Sequence, residues 1–308
     1  QGVAKVWKPD SLQLEDDVTA IVEDSSGQLW VSTYGNGAIL IKNPEADSLG
    51  DLDYAHFRGQ EGLSDRIFSM MISDEGKVHF ITDVGIKRYL AADNEFDFFR
   101  VEGVPAYFQI TALFQDSQGD FWFGTYNGGL FNYQVSTSKV KMFDVKDGLA
   151  DNWISCVTED RYGHIWVGTW GGGLSKINKK DSDILSFDPS NGLKDRKIRC
   201  LMEDREGNIL IGTNENGLMI HKGLQFVSFS EKDGLIDDQI WSIQQDSKGM
   251  FWFGTNEGLT TYDPSAKSEE AYQTYTSLNG LVDNHIRFIR EDQDGNLWIG
   301  SWGGGILK

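Results

Sequence analysis

One pattern recurs seven times along the 308 residues, and a chain built this way is confined to a repeat architecture before any single residue is weighed. The copies centre on Gly27, Gly76, Gly119, Gly163, Gly207, Gly249 and Gly295, at intervals of 42 to 49 residues. The fullest runs from Asp283 to Ile306 as DNHIRFIREDQDGNLWIGSWGGGI, and residues 151–174 read DNWISCVTEDRYGHIWVGTWGGGL. Within a copy a short apolar stretch such as Ile154 to Val157 meets a turn, then an alternating strand such as Ile165 to Gly168, then Gly-rich sequence and two more strands. Four strands per unit fit the period, so the expected fold is all-β: one seven-bladed β-propeller over residues 1–308, with four antiparallel strands per blade and no internal domain boundary.

The turns carry an acidic residue followed three positions later by Gly, as in Asp24 to Gly27, Asp116 to Gly119 and Asp160 to Gly163. A carboxylate there accepts local backbone N–H groups, and Gly takes the positive φ that a side chain resists. Three residues past the Gly stands Trp30, Trp122, Trp166, Trp252 or Trp298, replaced by His79 and Leu210 in two copies; this slot reads as blade core. A lone aromatic precedes each following copy at Phe57, Phe99, Phe143, Phe187, Phe229 and Tyr275, marking an outermost fourth strand. Trp7 fills the same slot with nothing before it to form its own blade, and Lys308 follows only three strands of the seventh copy. Counted across the joined ends, Gly295 to Gly27 is 40 residues, close to one period. The N-terminal strand, Val3 to Trp7, is therefore expected to pair beside Ile306 to Lys308 and complete the last blade, which removes an exposed sheet edge.

Composition limits the function. A formal charge of −19, from 28 basic and 47 acidic residues, argues against a general nucleic-acid or anionic-membrane surface, so any anion site must be local. The seven turns account for much of that charge, with 15 acidic against 4 basic residues, and read as solvated turns rather than calcium loops. No run of about 18 apolar residues marks a membrane span, and no leader-like segment opens these residues. Cys156 and Cys200 hold the same position in successive copies, where neighbouring blades point side chains the same way rather than at each other; both are expected to be free, buried thiols.

Copies of the form E-D-x-x-G-x-[LI]-W-[VI]-G-[TS]-x-x-G-G, preceded by [DN]-G-L-x-D-N-x-[IVW], resemble the two-component regulator propeller repeat. The match runs through Asp147, Gly148, Leu149, Asp151, Asn152, Glu159, Asp160, Gly163, Trp166, Gly168, Thr169, Gly172 and Gly173, and again through Glu291, Asp292, Gly295, Trp298, Gly300, Ser301, Gly304 and Gly305. The second copy departs from it, with His79 in the Trp slot and Ile81, Thr82, Asp83 and Val84 in place of the Gly-Thr and Gly-rich residues. The resemblance implies the extracytoplasmic, periplasmic sensor of a bacterial two-component regulator, which detects an oligosaccharide and reports to signalling domains outside these residues.

No nucleophile motif, phosphate loop or metal-ligand spacing is present, and no cofactor is called for. A propeller-type polysaccharide lyase is the enzymatic alternative, with His285 as base beside Arg287; a protein-binding scaffold is the third reading. The stronger signal is surplus aromatics. Trp153, Trp170, Trp241 and Trp302 lie outside the core slots, all at the end of the blade where the first strand begins and the second meets the third. Trp170 and Trp302 follow Thr169 and Ser301, where other copies carry Tyr34, Tyr126, Asn214 and Asn256. Flat rings suit sugar stacking, and Arg196, Lys197, Arg199, His285 and Arg287 add a basic arc that suits an acidic sugar. The competing expectation is that Arg196, Arg199 and Arg287 pair with Asp195, Asp237, Asp238 and Asp283 of the same loops.

Overall fold

The computed structural model describes residues 6–7, 17–46, 51–104, 109–267 and 271–308. Every sheet is four-stranded and antiparallel, and there are seven, so the fold is the seven-bladed β-propeller expected from the repeat. Blade 1 holds β2 (Val18–Glu23), β3 (Leu29–Thr33), β4 (Ala38–Ile41) and β5 (Tyr54–Phe57). Blade 2 holds β6 (Ile67–Ile72) to β9 (Glu95–Phe98), and blade 3 runs from β10 (Ile110–Gln115) to β13 (Lys139–Phe143). Blade 4 holds β14 (Ile154–Glu159), β15 (His164–Thr169), β16 (Leu174–Asn178) and β17 (Ile184–Phe187). Blade 5 runs from β18 (Ile198–Glu203) to β21 (Gln225–Phe229), and blade 6 from β22 (Ile240–Gln245) to β25 (Tyr272–Tyr275). Blade 7 combines β26 (Ile286–Glu291), β27 (Leu297–Ser301) and β28 (Gly305–Leu307) with β1 (Val6–Trp7).

That last sheet is the expected closure. Val6 stands opposite Leu307 and Trp7 opposite Ile306; the rest of the anticipated strand, Val3 to Lys5, lies outside the described residues. The chain divides into two compact parts, Gln1–Phe99 with Gln244–Lys308, and Arg100–Ile243.

The two repeated aromatic slots stack on each other inside blades 1, 3 and 4. Trp30 stacks on Phe57 at 5.4 Å, Trp122 on Phe143 at 5.9 Å and Trp166 on Phe187 at 6.0 Å, each pair within 24° of parallel. The second strand thus carries the ring that the fourth strand covers, which is why both positions recur. The substitutes His79 and Leu210 are buried as Trp30, Trp122, Trp166 and Trp298 are. In blade 4 the core includes side chains of the next blade: Trp166 packs with Leu174 of its own blade and with Ile198, Ile209, Ile211 and Met219 of blade 5. The glycine after W-[VI] serves this packing rather than a turn. A Cβ on Gly124 would lie 2.7 Å from Ile154 Cγ2 of the following blade and 3.0 Å from Ala112 Cβ, so the second strand must be bare for the blades to touch.

The turns are solvated at Asp74, Glu75, Glu206 and Asp294, as expected, but five of their aspartates are not. Asp116, Asp160, Asp204, Asp246 and Asp292 are all buried. In blade 4, Asp160 Oδ1 accepts from the N–H groups of Tyr162 (3.0 Å) and His164 (2.9 Å), while Oδ2 accepts from Trp166 Nε1 at 2.8 Å. Asp116 with Trp122, Asp246 with Trp252 and Asp292 with Trp298 repeat the bond at 2.9, 2.9 and 2.7 Å. In these four blades one carboxylate both closes the turn and satisfies the buried indole N–H, whereas in blade 1 Asp24 closes its turn without reaching the Trp30 indole N–H. The copy lacking Trp at the slot in blade 2 also lacks Asp: Ser73 stands there, and the His79 ring lies 3.1 Å from the Lys77 carbonyl. Glu of the E-D pair reaches back to the preceding turn. Glu159 takes both the N–H (2.6 Å) and the hydroxyl (2.9 Å) of Ser117, Glu291 does the same for Ser247, and Glu23 accepts from Gln293 N at 2.8 Å.

Candidate functional site

At the opposite end of blades 4 to 7 the chain enters the first strand through an Asx turn. Asp151 Oδ1 accepts from Trp153 N (2.9 Å), Asp195 from Lys197 N (2.9 Å), Asp237 from Gln239 N (3.1 Å) and Asp283 from His285 N (2.7 Å). An apolar residue follows, Ile154, Ile198 or Ile286, and then the ladder slips by one: the register breaks between Ile154 and Cys156, Ile198 and Cys200, and Ile286 and Phe288. The skipped residue of this bulge is Ser155, Arg199 or Arg287. A bulge leaves its extra residue out of the ladder and re-aims the side chain. Blades 1, 2 and 3 have the same bulge at Thr19, Phe68 and Thr111.

The residue after the Thr or Ser of the second strand is tied to the same place. Trp170 N donates to Trp153 O (3.0 Å), Asn214 N to Lys197 O (3.0 Å), Trp302 N to His285 O (2.9 Å) and Tyr126 N to Gln109 O (2.9 Å). Separated sequence positions therefore meet at this end of the blade, and the anticipated site residues other than Arg196 fall on them.

Within residues 100–243 these positions form a continuous array. Tyr126 and Trp153 have ring centroids 4.4 Å apart, and Trp153 and Trp170 are 5.7 Å apart. The Arg199 guanidinium carbon lies 4.8 Å from the Trp170 ring centre and 3.4 Å from that of Trp241, so the cation sits against two indoles. Arg199 Nη2 also donates to Asn214 Oδ1, an oxygen that takes Gln239 Nε2 at 3.2 Å. Asn214 Nδ2 in turn donates to Glu215 Oε1 (3.0 Å), which Lys197 Nζ pairs at 2.9 Å. Trp153, Trp170 and Trp241 are half-buried and Tyr126 is 48 % exposed. Arg196 stands apart, exposed and bonded to Asp188 at 3.2 Å.

In the other part of the chain, Arg287 lies 4.3 Å from the Trp302 ring centre. Burial lowers its pKa from the ordinary 12.5 to about 10, with Asp17 opposing the shift, so it stays cationic at neutral pH. Trp302 is 50 % exposed. His285, also exposed, has Nδ1 3.0 Å from Asp283 Oδ1. Asn256 holds the position after Thr255 and is half-buried.

Of the expected pairings of arginines with loop aspartates, that of Arg196 with Asp195 is replaced by one with Asp188. Asp195 is buried and spends its oxygens on Lys197 N, Glu215 N and Asn216 Nδ2; Arg196 turns to Asp188, and Arg199 to the indoles and Asn214. A carboxylate committed to capping its own loop cannot also swing out to a neighbouring side chain. Gln239 and Glu215 were not anticipated, since neither residue type marks a ligand site in sequence.

The family of two component regulator propeller repeats matches residues 13–35, 103–127, 148–171, 192–215, 234–257 and 280–303. The chain belongs to this propeller family. The copy around Gly76 is passed over, in keeping with its altered turn and core slot. No curated protein matches the chain in sequence. Among solved structures, the extracellular domain of a putative hybrid two component system from B. thetaiotaomicron is similar over 99 % of this chain and 40 % of its own length, with TM-score 0.83 and 23 % identity. A second such domain from the same organism gives 0.81 at 18 % identity, over 100 % of this chain and 42 % of its own. Virginiamycin B lyase from Staphylococcus aureus, an inactive variant with quinupristin, gives 0.74 at 12 % identity, over 99 % and 98 %. The regulator propeller therefore spans well under half of the two component domains it resembles, and these likenesses establish the fold.

Two chemical features of this regulator propeller bear on catalysis. Cys156 and Cys200 are free thiols, half-buried as residues. Burial pushes Cys156 up to about 12 and raises Cys200 also, so neither forms a thiolate nucleophile near neutral pH. Among the described residues, no group of three or more His, Cys, Asp or Glu is placed to hold a metal ion, and no helix is long and apolar enough to cross a membrane.

Proposed function

We propose that this chain is the ligand-sensing propeller of a bacterial two-component-type signalling protein, positioned in the periplasm, and that its ligand is an oligosaccharide, with an acidic one preferred. The reading rests on one observation: the run Tyr126, Trp153, Trp170, Arg199, Trp241, in which partly exposed rings alternate with a cation at the loop end of the blades. Rings of this kind stack on the C–H faces of sugars. A guanidinium flanked by indoles meets a ligand through its N–H edge, the geometry that a carboxylate or sulfate matches. The ligand is held rather than converted, and the bound state is passed to signalling domains.

The test is calorimetry with a panel of neutral, uronate-containing and sulfated oligosaccharides. Trp170→Ala is expected to weaken every binder at least tenfold, about 1.4 kcal/mol, and Arg199→Ala to weaken only the acidic ones by that amount. Absence of binding across the panel sinks the proposal. Appearance of new double bonds or reducing ends, lost in His285→Ala, replaces it with the lyase reading.

A further inference from the structure

Blade 2 departs from the repeat at its loop end as well as at its turn. Its second and third strands are joined by a tight turn, with Thr82 opposite Gly85 and only Asp83 and Val84 between, whereas Thr125 in blade 3 bonds forward to Gly129. Beside the shortened turn lies a groove of about 550 Å³ whose walls include Asp65, Arg66, Asp83, Val84, Lys87 and Phe98. Its charged groups are unequally committed. Asp83 accepts from the Ser64 hydroxyl at 2.6 Å and Asp65 from Gly59 N at 2.9 Å. Arg66 is exposed, and Lys87 Nζ lies 3.7 Å over the Phe98 ring; among the described residues neither cation is in an ion pair. Val84 and Phe98 are 58 % and 41 % exposed and give the groove an apolar wall.

We infer that this groove is a second binding site, separate from the aromatic array, for a small hydroxylated carboxylate of the sugar-acid type. Two cations without carboxylate partners among the described residues supply the anion contact, Lys87 held in place by the ring beneath it. The second oxygens of Asp65 and Asp83 suit hydroxyl donors, and the apolar wall suits a ring's C–H face. An anion with no hydroxyls leaves those carboxylates unanswered, and a neutral sugar leaves the cations unanswered, so the ligand needs both kinds of group.

Titration with glucuronate, followed by calorimetry, tests this, with glucose, acetate and sulfate as separate arms. Saturable millimolar binding of glucuronate is expected, with each other arm at least tenfold weaker. The Arg66→Ala/Lys87→Ala double variant should lose glucuronate at least tenfold and Asp83→Asn severalfold, their melting temperatures checked against the parent. Trp170→Ala should leave this binding unchanged, which separates failure here from failure of the oligosaccharide reading. No saturation by about 20 mM, an affinity too weak for a site of this kind, overturns the inference. So does retention of binding in the double variant, sulfate or acetate binding as well as glucuronate, or loss on Trp170→Ala.

Discussion

The two ends of a blade obey different rules. At the turn end, Asp, Gly and Trp recur at fixed spacing, and the polar groups are spent within the framework: Asp160 on two backbone N–H groups and an indole, Glu159 on the turn before it. At the loop end the backbone geometry recurs but the side chains do not. The bulged position is Thr19, Phe68, Thr111, Ser155, Arg199 and Arg287 in turn. A fold that settles its stability at one end is free to vary the other, and the proposed site lies where the copies disagree.

Removing a carboxylate from the turn end should separate the two most sharply. Asp160→Ala strands the Trp166 N–H in a buried site and opens the turn, and is expected to cost about 4 kcal/mol in urea unfolding. Burial works to raise the Asp160 pKa, but hydrogen bonds from Trp166, His164 N and the His164 ring outweigh it and the net shift is downward. A carboxylate depressed in the folded state stabilises above its unfolded pKa and loses that contribution as pH falls through its folded pKa. The Asp160→Ala variant should therefore lose less stability than the parent on acidification below about pH 4.

Blade 2 breaks the rule at its turn end, and pH exposes it. Burial, opposed by the Lys77 carbonyl, lowers the His79 pKa from 6.5 to about 4. The unfolded chain then binds a proton that the folded chain refuses. Stability is full above about pH 6.5, falls as pH drops towards about 4, and levels below, by roughly 3 kcal/mol in all. His79→Leu, which reproduces the Leu210 slot of blade 5, should flatten that window in melts at about pH 7 and pH 5. An unchanged slope would place the proton elsewhere.

Smaller effects sharpen the contrast. Glu159→Gln weakens its two bonds to Ser117 and its contact with Lys179, and should cost about 1–2 kcal/mol. At the loop end, Trp302→Ala should change stability by less than about 0.5 kcal/mol, since half of that ring already faces water. A loss as large as that of Asp160→Ala would mean that the loop end is framework too.

Much of this was legible without coordinates. Spacing of the turn glycines determined the blade count, and the aromatic slots determined which strands carry the core, because turn chemistry and strand alternation act between residues close in sequence. The unmatched Trp7 slot and the 40-residue joint determined that the last sheet is shared between the chain ends. Tertiary structure alone decided the rest. Asp and Trp six residues apart share a bond only once the turn folds one strand back over the other, and Glu159 reaches Ser117 across 42 positions. Arg199 lies between Trp170 and Trp241, which come from different copies, so its partners depend on how one blade's bulge is set against its neighbours. A sequence records which side chains each copy supplies, but the meeting of copies is written in twist and packing, which no single copy contains.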